Sequence, residues 1–248
     1  MVERLKKIEL HTYHIAALLF IGLLLGSIGV GILVQSNPLI TRSDSYFYKL
    51  LHHSLKSPFL DAIVHPFNFN FLPDFLSPGR LPSYLYFMVL GGAGYLWFKN
   101  RQAIKWFLFC IVLGVILAMV VTALDWHFVF RDRPFLTLES YVDDFGRMAW
   151  GKLSSYPSGH ARETALISTI IAGFIPILRW PMFAFVIFII LSRVYVGAHF
   201  PTDAVAGGLI GFITGIIALM IGRELQSIRK MSSKKNTNIK SAKVPNEK

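Results

Sequence analysis

Ser192-Arg193-Val194-Tyr195-Val196-Gly197-Ala198-His199-Phe200-Pro201-Thr202-Asp203 joins two apolar runs, Met182–Val196 and Ala204–Ile221, and sets a serine, an arginine, a histidine and an aspartate at their junction. Two further polar islands, Tyr156-Pro157-Ser158-Gly159-His160 and Arg131-Asp132-Arg133-Pro134, also fall at the edges of hydrophobic segments. An ionised side chain at the centre of a membrane helix costs roughly 2.5–3.5 kcal/mol on insertion scales. Charges collected at the ends of several apolar runs therefore mark a site. The runs themselves set the fold class: an all-α integral membrane protein.

Composition points the same way. Of 248 residues, 54% are hydrophobic and only 16% charged, against roughly 25% charged in soluble domains. The mean hydropathy is +0.52, more apolar sequence than a buried core absorbs. The single cysteine, Cys110, lies inside an apolar run, which excludes an intrachain disulfide and argues against a zinc cluster. The net charge of +11 would suit nucleic acid, but much of it sits in a polar tail carrying Lys230, Lys234, Lys235, Lys240, Lys243 and Lys248. No nucleic-acid partner is expected from that placement. The tail either touches anionic headgroups or only enforces topology. The chain divides into one membrane domain, 1–222, and a basic tail, 223–248, expected to be disordered and cytoplasmic. Oligomeric state is not encoded in any feature of the sequence.

A span needs about 20 largely apolar residues. Six candidates follow: Tyr13–Val34, Tyr84–Phe98, Ala103–Leu124, Glu163–Leu178, Met182–Val196 and Ala204–Ile221, the second, fourth and fifth being short. The first is too long for a signal-peptide core and is expected to be retained. Basic residues cluster before the first span (Arg4, Lys6, Lys7), between the second and third (Lys99, Arg101, Lys105), at Arg179, and after the sixth (Arg223, Arg229, Lys230). With both termini inside a plasma (inner) membrane, all four clusters become cytoplasmic. The three polar islands then share the extracytoplasmic face with a long segment between helices 1 and 2. That segment, 35–82, is apolar enough around Ser45–Leu55 to lie in the interface, as a lid over the site or as simple packing.

Each island has chemistry and a plainer alternative. His199 and Asp203, four apart, share a helix face or span a turn begun at Pro201, so the carboxylate can fix the imidazole tautomer and leave a nucleophilic nitrogen. An interfacial histidine beside a capping aspartate looks identical in sequence. Pro157-Ser158-Gly159-His160 reads as a turn entering a helix, where amides and the Ser158 hydroxyl cradle an anion and His160 delivers a proton; an ordinary N-cap is the plain reading. Arg133 and Arg193 supply fixed charge for gripping phosphate oxygens. The adjacent His52-His53 diverge on a helix and do not suit a metal, and Asp143-Asp144 reads as an exposed loop pair. No metal or other cofactor is implied. Gly91, Gly92 and Gly94 suggest close helix packing, and Trp97, Trp106, Trp150 and Trp180 fit interfacial belts.

Taken together, Arg133-Pro134, then Pro157-Ser158-Gly159-His160, then Ser192-Arg193 followed by His199 and Asp203 resembles the three-part signature of the type 2 phosphatidic acid phosphatases, over roughly residues 103–221. The resemblance implies a six-helix, metal-independent membrane enzyme that removes phosphate from a lipid at the outer leaflet. By the same resemblance His199 attacks phosphorus to form a phosphohistidine, Asp203 orients it, and His160 protonates the leaving alcohol and then activates water. Arg133, Arg193, Ser158 and the Gly159 amide hold the phosphate oxygens. The implied partners are a membrane lipid phosphate and the bilayer. The headgroup is left open among phosphatidylglycerol phosphate, phosphatidic acid, undecaprenyl pyrophosphate and lipid A phosphates. A lipid-to-lipid phosphotransferase and a catalytically weakened lipid-phosphate binder are the alternatives.

The first motif departs from the family pattern. Its lysine, seven residues before the arginine, is Trp126 here. A charge-assisted hydrogen bond of about 1.5–3 kcal/mol corresponds to roughly 10- to 150-fold in rate, so the loss slows the reaction without abolishing it. Arg131 and Lys152 are the candidate substitutes. Arg131 reaches the pocket only if the chain leaves the helix before it.

Overall fold

The computed structural model describes residues 2–67, 82–138 and 154–242, and among these there is no strand. Lys152, Asp143-Asp144, Trp150 and the phenylalanines from Phe69 to Phe75 lie outside the described residues. The helices are α1 (Val2–Ser36), α2 (Pro38–Lys49), α3 (Pro58–Val64), α4 (Ser83–Lys99), α5 (Arg101–Phe128), α6 (Pro134–Thr137), α7 (Gly159–Phe174), α8 (Arg179–Tyr195) and α9 (Pro201–Ala242). A π-helical turn, Leu50–Ser54, extends α2.

Four segments are long and apolar enough to cross a bilayer: His11–Ser36, Arg101–Phe128, Pro176–Tyr195 and Pro201–Ser232. The other two expected spans are shorter. α4 has 17 residues and α7 has 16, about 24–26 Å at 1.5 Å per residue against an apolar thickness of about 30 Å. α9 continues through 223–242, where a disordered tail is expected from composition. That stretch contains no glycine after Gly222 and no proline, and its Arg, Glu, Leu, Gln and Lys residues are good helix formers.

α7 sits at the centre, between α5 and α9. The closeness of α7 and α9 has a local cause. Gly207, Gly211 and Gly215 recur every four residues on α9; backbone lies where the first two side chains would be, at Ser158 just before α7 and at Arg162 within it, and the Thr169 side chain and Leu166 carbonyl of α7 crowd the third. Small residues at this spacing let membrane helices approach backbone to backbone. Phe107, Cys110 and Ala118 of α5, Leu166, Ile170 and Ile171 of α7, and Ala218 and Leu219 of α9 fill the main apolar core. Leu23 of α1 joins Val121 and Ile210 in a second cluster. The ends of α5, α7, α8 and α9 that carry the three polar islands meet at one end of this bundle, where Arg131 pairs with Asp203 and the Ser158 amide donates to the Asp203 carbonyl.

Candidate active site

α5 ends at Phe128 because the chain turns extended at Val129 (φ −128°, ψ 118°) and stays so at Arg133 (φ −76°, ψ 153°). A β-branched residue and the restriction imposed by Pro134 both favour that backbone. Residues 131 and 154–155 then pair: the Ser155 amide donates to the Arg131 carbonyl at 2.8 Å, and the Arg131 amide to Ser154 Oγ at 3.2 Å. This pairing brings the first and second islands together. A cis Tyr156–Pro157 bond leads into Ser158 and the start of α7.

The third island turns at Gly197, whose φ of +83° favours glycine and whose missing side chain leaves room for His52 and Tyr48. The turn aims the Ala198 carbonyl at Arg133, whose Nη1 donates to it at 3.0 Å. It also presents His199.

Arg133, Ser158, His160, Arg193, His199 and Asp203 are all at most 8% exposed. His199 Nδ1 lies 2.8 Å from the Ser155 carbonyl, which can only accept, so Nδ1 carries the proton and Nε2 keeps its lone pair. Nε2 lies 3.4 Å from Arg133 Nη1. Burial first, then the Arg133 and Arg193 charges, hold the His199 imidazole well below its usual value. His160, Arg133 and Arg193 are buried along with His199. Burial brings Arg133 itself down to about 10, and it stays charged at neutral pH.

Ser158 does not do what an N-cap serine does. Its side chain makes no capping bond, and Oγ is buried with no hydrogen-bond partner among the described residues. No heavy atom comes within 4 Å of the place a Gly159 side chain would take, which leaves the first amides of α7 approachable. A buried orphan hydroxyl at a helix start is the kind of group that an anion would satisfy.

The structure differs from the sequence reading at Asp203. The carboxylate does not hydrogen-bond His199. Its Oδ2 takes the Ser155 hydroxyl at 2.6 Å and the Phe200 amide at 3.1 Å, and its Oδ1 takes Arg131 Nη1 at 2.6 Å. The four-residue spacing fails as a direct pair because Pro201 starts α9 between the two residues, so they do not share a helix face. Among the described residues, Asp203 meets the ring through Ser155.

Arg131 does leave the helix and turn inward, but its guanidinium is already engaged. Nη1 donates to Asp203 and to Thr202 Oγ1, and Nη2 to Asp44 Oδ2 at 2.6 Å. It neutralises carboxylates behind the histidine and does not stand in the lysine's place. Trp126 is 51% exposed, on the outer side of α5. Lys152 lies outside the described residues.

Sequence reasoning missed Asp44, Ser155 and Thr202. Asp44 and Tyr48, one turn apart on α2, and His52 beyond them are buried against the loop that carries His199, and His52 Nδ1 lies 2.6 Å from the Tyr195 carbonyl. α2 is therefore packed onto the site, and His53, with its ring 4.9 Å from that of His52, faces outward.

Residues 107–226, which hold all three motifs, match the model of the PAP2 superfamily. The bacitracin transport permease protein BcrC of Bacillus licheniformis is 26% identical over 160 residues, covering 60% of this chain and 71% of that protein. Among solved structures, the PAP2-type phosphatidylglycerolphosphate phosphatase of Bacillus subtilis matches with a TM-score of 0.57 at 20% identity, covering 80% of this chain and 93% of that one. LpxE of Aquifex aeolicus matches at a TM-score of 0.48 and 24% identity, covering 70% and 93%.

Proposed function

We propose, from a chain whose residues 107–226 belong to the PAP2 superfamily, that the protein is a membrane lipid phosphatase working through a phosphohistidine. The observation that carries the reading is His199: its Nδ1 is tied to a carbonyl while Nε2 keeps its lone pair and faces Arg133. Nε2 attacks phosphorus, the P–O bond to the lipid breaks, and the departing oxygen takes a proton from His160. His160 then removes a proton from water, which attacks phosphorus; the N–P bond breaks, releasing inorganic phosphate and restoring His199. Arg133, Arg193, Ser158 Oγ and the Gly159 amide hold the phosphoryl oxygens, where positioning and charge supply most of the catalysis. An incoming dianion offsets the two guanidinium charges and favours the protonated imidazole that His160 needs to deliver its proton.

We place the site at the extracytoplasmic face of the plasma membrane, with α4 and α7 crossing as short spans helped by flanking residues. The four basic clusters then lie at the other end of the bundle. No step uses a metal. The substrate class is a phosphomonoester or pyrophosphate of a membrane lipid, entering from the bilayer. Trp126 in the motif lysine's place favours one second reading, a member that binds lipid phosphate with little turnover.

Radiolabelled substrate quenched in alkaline detergent, which preserves a phosphohistidine, tests both. Label trapped on the wild type and absent from His199→Ala supports the phosphatase. No label on the wild type, with lipid phosphate still bound, supports the binder. Release of labelled phosphate by His199→Ala at the wild-type rate would end the phosphohistidine reading.

A further inference from the structure

We propose that Asp44, on interfacial helix α2, is a positioning residue for the reaction, acting through Arg131, Asp203 and Ser155 on the His199 ring. The inference rests on His199 being the nucleophile. Asp44 is 2% exposed and lies 87 residues from Arg131 in sequence, yet its Oδ2 meets Arg131 Nη2 at 2.6 Å. Its Oδ1 takes the Thr202 amide at 3.1 Å, and Oδ2 also takes the Thr202 hydroxyl. Arg131 is thus a bridge between two carboxylates, Asp44 and Asp203.

What the bridge holds is a single backbone oxygen. Asp203 Oδ2 fixes the Ser155 hydroxyl at 2.6 Å, the Arg131 carbonyl fixes the Ser155 amide at 2.8 Å, and the Ser155 carbonyl orients His199 Nδ1 at 2.8 Å. Arg131 therefore acts on Ser155 from two sides, with its side chain through Asp203 and with its own carbonyl. The guanidinium also lies 4.1 Å over the Phe200 ring, next in chain to His199. Without Asp44, the guanidinium keeps one carboxylate of two and loses its anchor on α2. A carbonyl acceptor has no charge with which to pull a ring back into line, so its own placement decides the direction in which Nε2 points. The same bridge fastens α2 to the catalytic end of the bundle.

The test uses the full-length protein in detergent, with dioctanoyl phosphatidic acid as substrate and vanadate as a phosphate-site probe. Asp44→Asn is expected to lower kcat about 10-fold while KM and vanadate affinity stay within about 2-fold, the signature of lost transition-state alignment. Ser155→Ala, which keeps the carbonyl but frees it from Asp203, is expected to give a similar loss. The double variant should be about 10- to 20-fold down instead of about 100-fold, because coupled residues are not additive. Wild-type kcat in Asp44→Asn, a multiplicative double variant, or a loss that merely follows the folded fraction measured by thermal unfolding overturns the proposal. His199→Ala separates the two levels: if it still forms labelled phosphoenzyme, the nucleophile assignment has failed; if it forms none while Asp44→Asn turns over normally, only the positioning role has.

Discussion

Replacing Gly211 by alanine should cripple turnover from a position that touches no substrate. The new Cβ would overlap the Arg162 carbonyl oxygen, the nearest atom, and lie 2.7 Å from the Arg162 carbonyl carbon and 2.9 Å from the Leu166 nitrogen, where ordinary contact begins at 3.4 Å. The obstacle is helix backbone, so no side chain can swing aside. α7 and α9 must separate by more than about 1 Å, and overpacking of this kind costs about 1–3 kcal/mol or more. α7 carries Ser158, Gly159 and His160; α9 carries Asp203 and is entered from His199. The displacement therefore divides the anion cradle from the nucleophile. Since misplacement by 1 Å can cost 10²-fold, kcat/KM should fall about 10- to 100-fold. The assay is phosphate release from a short-chain lipid phosphate by purified variant, normalised to the folded fraction from size exclusion. Gly29→Ala is the control, because its Cβ would meet nothing within 4 Å. Turnover within 2-fold of wild type in a well-folded Gly211→Ala would refute the backbone-contact argument.

Ser158→Ala should slow kcat/KM by about 10- to 150-fold, the value of a hydrogen bond to a charged group, while the melting temperature holds or rises, because a buried unsatisfied hydroxyl is removed. A parallel fall in both would contradict the orphan-hydroxyl reading. Because the His199 pKa is depressed, its neutral, nucleophilic form persists below pH 6.5 and is lost only as pH falls through that lower value. The acid limb of kcat/KM, corrected for substrate ionisation, should therefore sit below pH 6.5; a limb at or above it would count against the assignment. Activity should survive exhaustive chelation, and a strict requirement for added divalent metal would contradict the proposed steps.

How much of this was legible in the residues varies with the kind of contact. Arg133, Ser158, His160, Arg193 and His199 could be read because each sits at the margin of an apolar run, where a polar side chain needs a reason. The Ser155 carbonyl could not, since every residue has one and only the fold selects which carbonyl meets Nδ1. Asp44 was hidden by distance along the chain and by apolar neighbours that suggested a covering segment. The glycines at 207, 211 and 215 are visible in principle, since a four-residue repeat inside a span is a packing signal even within a hydrophobic run. Asp203 is harder to read because an i, i+4 spacing suits contact on one helix, while Pro201 begins a new helix between the pair.

Glycine-mediated contact along α7 and α9 also limits how this molecule can breathe. Where two rods touch main chain to main chain, at Gly207 and Gly211, no side group is there to compress, and the pair resists being wedged apart at that end. α2 is held differently, by side-chain ties through Asp44 and His52. On the proposed reading, loosening those ties would disturb the reacting nitrogen before it disturbed the helix pair.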